Sequence, residues 1–321
     1  MSKYILGRLV SSIPVLLGVT ILIFLVMHLV PGDPAELLLI GTPGVTPQQI
    51  RQLDHQLGVD KPLLEQYWTF VSGAVRFDLG RSYQSGSNPV TRLIADQFPA
   101  TIQLTVSGTI AGSLLGIVLG TLAAIRRNSI LDNVSMVFAF AGISMPVFWF
   151  GVLLIFVFSV QFGWFPVASS HVPHTFTALL NPTTFRSLVL PSITLGLALS
   201  AGVARLVRSS MLDVLRQDYV TTARAKGLRP LTVVLRHALR NALIPAVTLL
   251  GVQFGALLGG AVITETVFSR QGIGRLVVAA IGQKDIPLVQ GIILLFAVLQ
   301  VSINLLIDLS YAFLDPRVRY S

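Results

Sequence analysis

The chain has 321 residues, 53% of them hydrophobic and 12% charged. A soluble domain carries roughly twice that share of charge, and the deficit is gathered in long uncharged runs, which excludes soluble, disordered and fibrous classes. The net charge of +9 does not point to nucleic acid, because the excess sits beside the apolar runs, where membrane topology accounts for it; with no cysteine, a disulfide framework, a thiolate metal site and a cysteine nucleophile are excluded too.

Lys3 and Arg8 precede an apolar run over residues 9–30. The run is longer than a signal-peptide core and no small-x-small cleavage pattern follows it, so it reads as an uncleaved first span. A stretch of about 68 residues (31–98) comes next, with seven acidic and five basic side chains, a mix that suits a soluble cap or a protein-docking surface. About 20 apolar residues at about 1.5 Å each cross the hydrocarbon core. Five further runs meet that length: 99–125, 134–161, 188–204, 241–264 and 286–307. The run at 188–204 is the shortest, about 17 residues, with room to extend under Arg205. Residues 134–185 hold no Asp, Glu, Lys or Arg; Gly163, Pro166, Pro173 and Pro182 interrupt them, so their second half reads as an outer loop. Pro146 removes a helix hydrogen bond and predicts a kink in the third span. Phe148 and Trp149 beside it are candidates to line a pathway, with packing or lipid contact as the ordinary alternative.

Six spans put both termini on one side of the membrane. With that side inside, 14 of the 23 Lys and Arg residues fall in short inner segments, while the other nine are spread over outer segments beside nine acidic residues. The positive-inside rule therefore predicts cytoplasmic termini and an inner loop over residues 205–240. Small residues recur at four-residue spacing in two spans: Gly108, Gly112, Gly116 and Gly120, and then Gly251, Gly255 and Gly259. Such ridges let helix backbones approach closely. Charge within the spans is sparse. Glu265 falls near an outer end, and Asp308 near an inner end, where an interfacial basic partner is expected. The absence of midplane carboxylates weighs against an ion-coupled carrier.

The inner loop contains Asp218-Tyr-Val-Thr-Thr-Ala-Arg-Ala-Lys-Gly227. Asp218 suits an N-cap, Gly227 suits the left-handed residue after a helix, Arg224 and Lys226 complement the carbonyl end, and Pro230 prevents continuation. The spacing predicts a helix of about eight residues, too short to be stable without packing. Ala223 and Ala225 leave room for close contact, either with a partner protein or with the chain's own spans.

This stretch resembles the coupling motif of ABC importer permeases. The leading acidic position of the general motif is occupied here by Thr221, followed by Thr222 and Ala223, and Ile244-Pro245 ends 18 residues after Gly227. The form agrees with the branch that imports dipeptides, oligopeptides, nickel and glutathione. Further pieces in the same order extend the likeness over nearly the whole chain: Pro31-Gly-Asp-Pro34, Leu57-Gly-Val-Asp-Lys-Pro62, Gln66-Tyr67, Asp78-Leu-Gly80, Arg236-His-Ala-Leu-Arg-Asn-Ala-Leu-Ile-Pro245, Thr264-Glu-Thr266, Gly272-Ile-Gly274 and Asp315-Pro-Arg317. The resemblance implies a type I importer permease fold. It divides the chain into a first span with an extracytoplasmic segment (1–98), a permease domain (99–308) and a cytoplasmic tail (309–321). It also implies a prokaryotic inner membrane, a second homologous permease, two ATPase subunits that hold ATP and Mg, and an extracytoplasmic binding protein. Asp218, Tyr219, Thr222, Ala223, Arg224, Ala225, Lys226 and Gly227 would form the ATPase-coupling element. Peptides are the expected solute; nickel, glutathione or another small solute is the alternative within the class, and an ATP-independent channel or membrane scaffold the alternative outside it.

No catalytic residue, resident cofactor or metal is expected. The chain lacks the Gly-x-x-x-x-Gly-Lys-Ser/Thr cradle for nucleotide phosphates, His-Glu-x-x-His and Gly-x-Ser-x-Gly. His171 and His174 stand three apart without a third ligand, so no metal site is expected there.

Overall fold

The computed structural model describes residues 2–40, 44–85, 88–167 and 181–314. Among them every extended element is helical, and the β-bridge between Arg81 and Pro89 stands isolated. In chain order they are α1 (Ser2–Leu29), α2 (Pro34–Leu39), α3 (Pro47–Leu57), α4 (Leu63–Val75), α5 (Val90–Ile125), α6 (Ile130–Ser144), α7 (Val147–Leu154) with a π-helical continuation over Ile155–Gln161, and α8 (Pro182–Val214). Then come α9 (Asp218–Ala225), α10 (Pro230–Thr232) with a π-helical turn over Val233–Ala238, α11 (Leu239–Ala242), α12 (Ile244–Val267), α13 (Ile273–Gly282) and α14 (Ile286–Leu314). The local causes are ordinary capping. Asp33 accepts from Ala35 N at 2.8 Å to open α2, Thr46 and Gln49 form a reciprocal capping box on α3, and Ser129 and Asn181 cap α6 and α8.

Helices α1, α5, α8, α12 and α14 are long and apolar enough to cross a bilayer, and α6 with α7 makes a sixth span if the bent pair is counted as one. Three expectations need correction. The third span is broken rather than kinked: α6 and α7 meet at 106°. The ring of Pro146 forces Met145 into extended backbone (φ −84°, ψ 131°), which no helix can pass through. The fourth span extends past Arg205 to Val214, as its short uncharged core allowed, but Pro182 opens it instead of lying in the outer loop. Proline suits the first helical position because its missing N–H has no partner there anyway. Finally, α5 begins at Val90, ahead of residue 99, with Pro99 inside it. His171, His174, Pro173 and the residues from 315 onward lie outside the described residues.

The described residues fall into two compact units, Met1–Ala100 with Gln271–Ser321, and Thr101–Arg270. In the first unit α1 packs along α14, and Arg8 Nε meets Asp308 Oδ2 at 3.2 Å. Lys284, with φ 52°, donates from Nζ to Val30 O at 2.7 Å and to Gly32 O, which places a cation at the carbonyl end of α1. The next residue, Asp285, is fully buried. It accepts from Leu288 N at the start of α14 (3.4 Å), from Ser82 Oγ (2.5 Å) and from Tyr83 N (3.1 Å). Burial, with the Asp285 carboxylate adding to it, pushes the Tyr83 phenol up to about 12.

In the second unit α8 is the central helix, with α6, α7 and α12 packed on it. The glycine ridge of α5 also lies on α8. Gly108 faces Leu195, Gly112 the backbone of Gly196, Gly116 the Ser200 carbonyl and Val203, and Gly120 the Ala204 carbonyl and Val207. The small residues Gly196, Ser200 and Ala204 repeat on α8 at the same four-residue spacing, so backbone meets backbone along the seam. The ridge of α12 behaves differently: Gly255 is buried, Gly251 half-buried, and Gly259 has open space beside it.

Candidate functional site

The site is built around α9, eight residues between α8 and α12. Gln217, not Asp218, is its N-cap, with extended backbone (φ −73°, ψ 148°) and no side-chain cap bond. Asp218 is already helical. It stands in the first turn, where its carboxylate meets the positive end of the helix dipole without capping it. The carbonyl end closes as a Schellman turn: Gly227 N donates to Arg224 O at 3.0 Å and Leu228 N to Ala223 O at 3.4 Å. Gly227 takes φ 76°, a conformation that costs glycine nothing, and Pro230 starts α10.

One face of α9 is buried. Val220 and Ala223, three residues apart, pack on Val233, with Val214 and Leu215 at the edge of the cluster. Tyr219 lies beside that face, and its hydroxyl accepts from Asn241 Nδ2 at 2.7 Å and donates to His237 O at 3.4 Å. These contacts fix α9 to the turn over Val233–Ala238 and to α11. Asp218, Tyr219, Thr222, Arg224, Ala225, Lys226 and Gly227 remain exposed. Of the two contacts left open for this helix, Ala223 makes the one with the chain's own elements, while the other seven of the eight named positions are exposed. Arg216, Arg229, Arg236 and Arg240 are exposed as well, so the exposed positions of residues 213–240 include six cationic side chains against Asp213 and Asp218. Val220, Val233 and Asn241 escaped the sequence reading. The valine–alanine spacing of three was the available signal for the first, and nothing local marks the other two.

Two further polar arrangements are built into the second unit, the first at the end of α8 near α9 and the other at the opposite end of α12. Arg208 of α8 holds Asp132 of α6 by a two-pronged contact, Nε to Oδ1 and Nη2 to Oδ2, both 2.7 Å. In the other, Glu265 is fully buried and accepts from Thr101 Oγ1 at 2.7 Å. Arg270, equally buried, donates from Nη2 to Gln103 Oε1 at 3.2 Å and from its amide to Glu265 O at 2.8 Å. Burial pushes the Arg270 guanidinium down to about 10, with the Glu265 carboxylate acting in the opposite direction. Pro146 separates α6 from α7, and Phe148 and Trp149 in the first turn of α7 are exposed. No cluster of three or more His, Cys, Asp or Glu side chains suited to a metal ion occurs among the described residues.

Residues 116–320 match the family of binding-protein-dependent transport system inner membrane components, and residues 1–105 match the amino-terminal model for membrane components of such systems. The chain is 43% identical over 320 residues to the glutathione transport system permease protein GsiC of Escherichia coli O6:H1 (strain CFT073), with all of both chains covered. The same figures hold for GsiC of Escherichia coli strain K12. Among solved structures, a chain of the methionine ABC transporter MetNI in an inward-facing crystal form matches with a TM-score of 0.55 and 18% identity, over 71% of this chain and 99% of that one; at that identity the match speaks for the fold. The chain thus belongs to the inner-membrane permeases of binding-protein-dependent transport systems, in the peptide, nickel and glutathione branch of the ABC importers.

Proposed function

We propose that this chain forms half of the pathway of an ATP-driven importer for short peptides, glutathione among them, and that α9 receives the stroke of an ATPase subunit. The observation that carries the reading is α9 itself. It is capped at its carbonyl end, anchored on one face by Val220 and Ala223, and left with Arg224 and Lys226 exposed. A short helix held this firmly passes a push onward instead of absorbing it. Tyr219 and the valine cluster link it to α11 and to the end of α8. Full-length identity to glutathione permeases supports the solute class, since glutathione is a tripeptide.

In this reading both termini and α9 lie in the cytoplasm, on the side given by the basic loops. The companion subunits are a second, homologous permease, two ATPases that bind ATP and Mg, and an extracytoplasmic binding protein; this chain takes no chemical step. ATP binding closes the ATPases, α9 moves with them, and α8 and α12 follow. Phe148 and Trp149, exposed beside the break at Pro146, would line the pathway in this reading. The functional division of the chain is then 1–98, 99–308 and 309–321.

The test is purification of the tagged chain from its native membrane in mild detergent, mass spectrometry of what accompanies it, and reconstitution of that complex in liposomes. A second permease with one or two nucleotide-binding ATPases, and ATP-driven uptake of labelled glutathione or dipeptide, are expected. Uptake of nickel alone would shift the solute assignment, and recovery of the chain with no ATPase would overturn the importer reading.

A further inference from the structure

Within the first unit, α4 lies against the last three turns of the spanning helix α1. Tyr67 stacks edge-on to Phe24 at 5.3 Å. Its hydroxyl reaches Thr20 Oγ1 at 3.1 Å; that threonine spends its own proton on Leu17 O, so Tyr67 is the donor. One residue earlier, Gln66 Oε1 meets His28 Nε2 at 3.0 Å. The apolar window of α1 ends at Leu29. At about 1.5 Å per residue, Phe24 lies roughly 7 Å and Thr20 roughly 13 Å inside that end. The middle of α4 therefore sits at the level of the hydrocarbon edge, not out in water.

The surface of α4 is divided to match. Tyr67, Phe70 and Ala74 are half-buried, and Glu65, Thr69 and Arg76 form an exposed polar strip. Between the two runs Leu64, Trp68, Val71 and Val75, spaced four, three and four apart and so on one helical face. Leu64 is 81% exposed, Trp68 69% and Val75 77%. Just past the helix, Phe77 adopts φ 61° and leaves its ring 87% exposed. A phenylalanine in the left-handed region is strained, and an apolar ring held outward in this way needs an apolar partner. The bilayer supplies one at this depth, since the exposed side chains of α1 (Leu22, Leu25 and Leu29) already face it.

We infer that α4, with Phe77, is an interfacial membrane helix. The stripe through Leu64, Trp68 and Val75 lies in the lipid at the membrane face where α1 ends, while the Glu65–Thr69–Arg76 strip faces water. Such a helix has a wide apolar face, a polar face and an aromatic residue at headgroup level. The inference does not depend on the solute or on the ATPase partners. It concerns a part of the chain distant in sequence from α9.

The native chain has no cysteine, so single labels can be added without removing anything. Leu64→Cys, Trp68→Cys, Val75→Cys and Phe77→Cys, with Glu65→Cys and Thr69→Cys as the opposite face, would be spin-labelled in the assembled transporter in nanodiscs. Collision with dissolved oxygen and with a water-soluble nickel chelate would be compared at each site. Oxygen accessibility should exceed nickel accessibility at the first four positions, with the order reversed at 65 and 69. Higher nickel accessibility at 64, 68 and 75 would overturn the inference, as would exclusion of both probes, which would mark a protein-covered face. A second readout leaves α4 unaltered. With Trp149 and Trp164 replaced by Phe, the fluorescence of Trp68 should fall at least twofold in lipids brominated near the headgroup; unchanged emission would contradict the immersion.

Discussion

Arg208 and Asp132 form an ion pair of two parallel contacts, both 2.7 Å, that joins α8 to the first turn of α6 across 76 positions of sequence. The Asp132 side chain is only 4% exposed and also accepts from Asn128 N at 3.0 Å. The guanidinium fork matches both carboxylate oxygens at once, the geometry that makes Arg-carboxylate pairs strong. The pair pins α8 to α6 just before α8 runs on into the loop that carries α9, so motion arriving from α9 meets a fixed point there.

Removing one partner leaves the other charged and poorly solvated, which costs about 1–3 kcal/mol at this part-buried contact. Arg208→Gln should lower the apparent melting temperature of the detergent-solubilised chain by several degrees, measured by size exclusion after heating. The double variant Asp132→Asn/Arg208→Gln should recover more than half of the loss, since neither charge remains. If Arg208→Gln melts like the parent, the pair does not hold the end of α8.

The two glycine ridges should respond oppositely to an added methyl group. At Gly112 the methyl would collide with the Gly196 backbone, which has no side chain to move aside. Gly112→Ala should therefore cost about 1–3 kcal/mol of overpacking and reduce the folded yield. Gly259→Ala, with nothing within 4 Å inside α12, should raise the stability of the isolated chain by up to about 1 kcal/mol, because alanine is the better helix former. The same heating assay separates them, and equal loss at both sites would contradict the packing described for α5 and α8.

In the first unit Asp54 lines a cleft of about 260 Å³ together with Asp33, Asp60 and Lys284. Burial first, and then the Asp33 carboxylate, raise the Asp54 carboxyl above its usual range. A raised carboxyl favours the protonated form in the fold. Its contribution is therefore full at low pH, below the unfolded value, and is lost as pH rises through the raised one. Asp54→Asn mimics the protonated form. It should raise thermal stability near neutral pH and lose that advantage as the pH falls to about 4, measured by melting across a pH series. A stabilisation that grows toward acid would have the wrong sign.

The places of the spans and the short helix of the inner loop were legible in the sequence because they rest on local runs of residues, while the ends of α5 and α8 were not. The eight-residue extent of α9 followed from Gly227 and Pro230, and the ridge Gly108–Gly112–Gly116–Gly120 followed from its period. Contacts that depend on distant residues were not legible. Asp285 meets Ser82 across 203 positions, and Lys284 meets Val30 across 254, so no pattern around either announces the clasp. Asp218 looked like a cap because Asp favours that position, yet Gln217 takes it without any side-chain bond, and the first turn of α9 is held instead by the Val220 side chain packed on Val233. At Pro146 the proline was read correctly as a disturbance, but its size depended on Met145 becoming extended, which composition does not reveal.

The central claim, that α9 couples this chain to an ATPase, is tested most directly by Arg224→Glu. Arg224 is exposed in the last turn of α9 and belongs to no cluster that holds the fold. In proteoliposomes containing the complete importer, ATP-driven uptake of labelled peptide should fall at least tenfold, while membrane insertion and melting of the variant chain match the parent. Uptake at the parental rate, with the charge reversed and the protein intact, would contradict the coupling role of this helix.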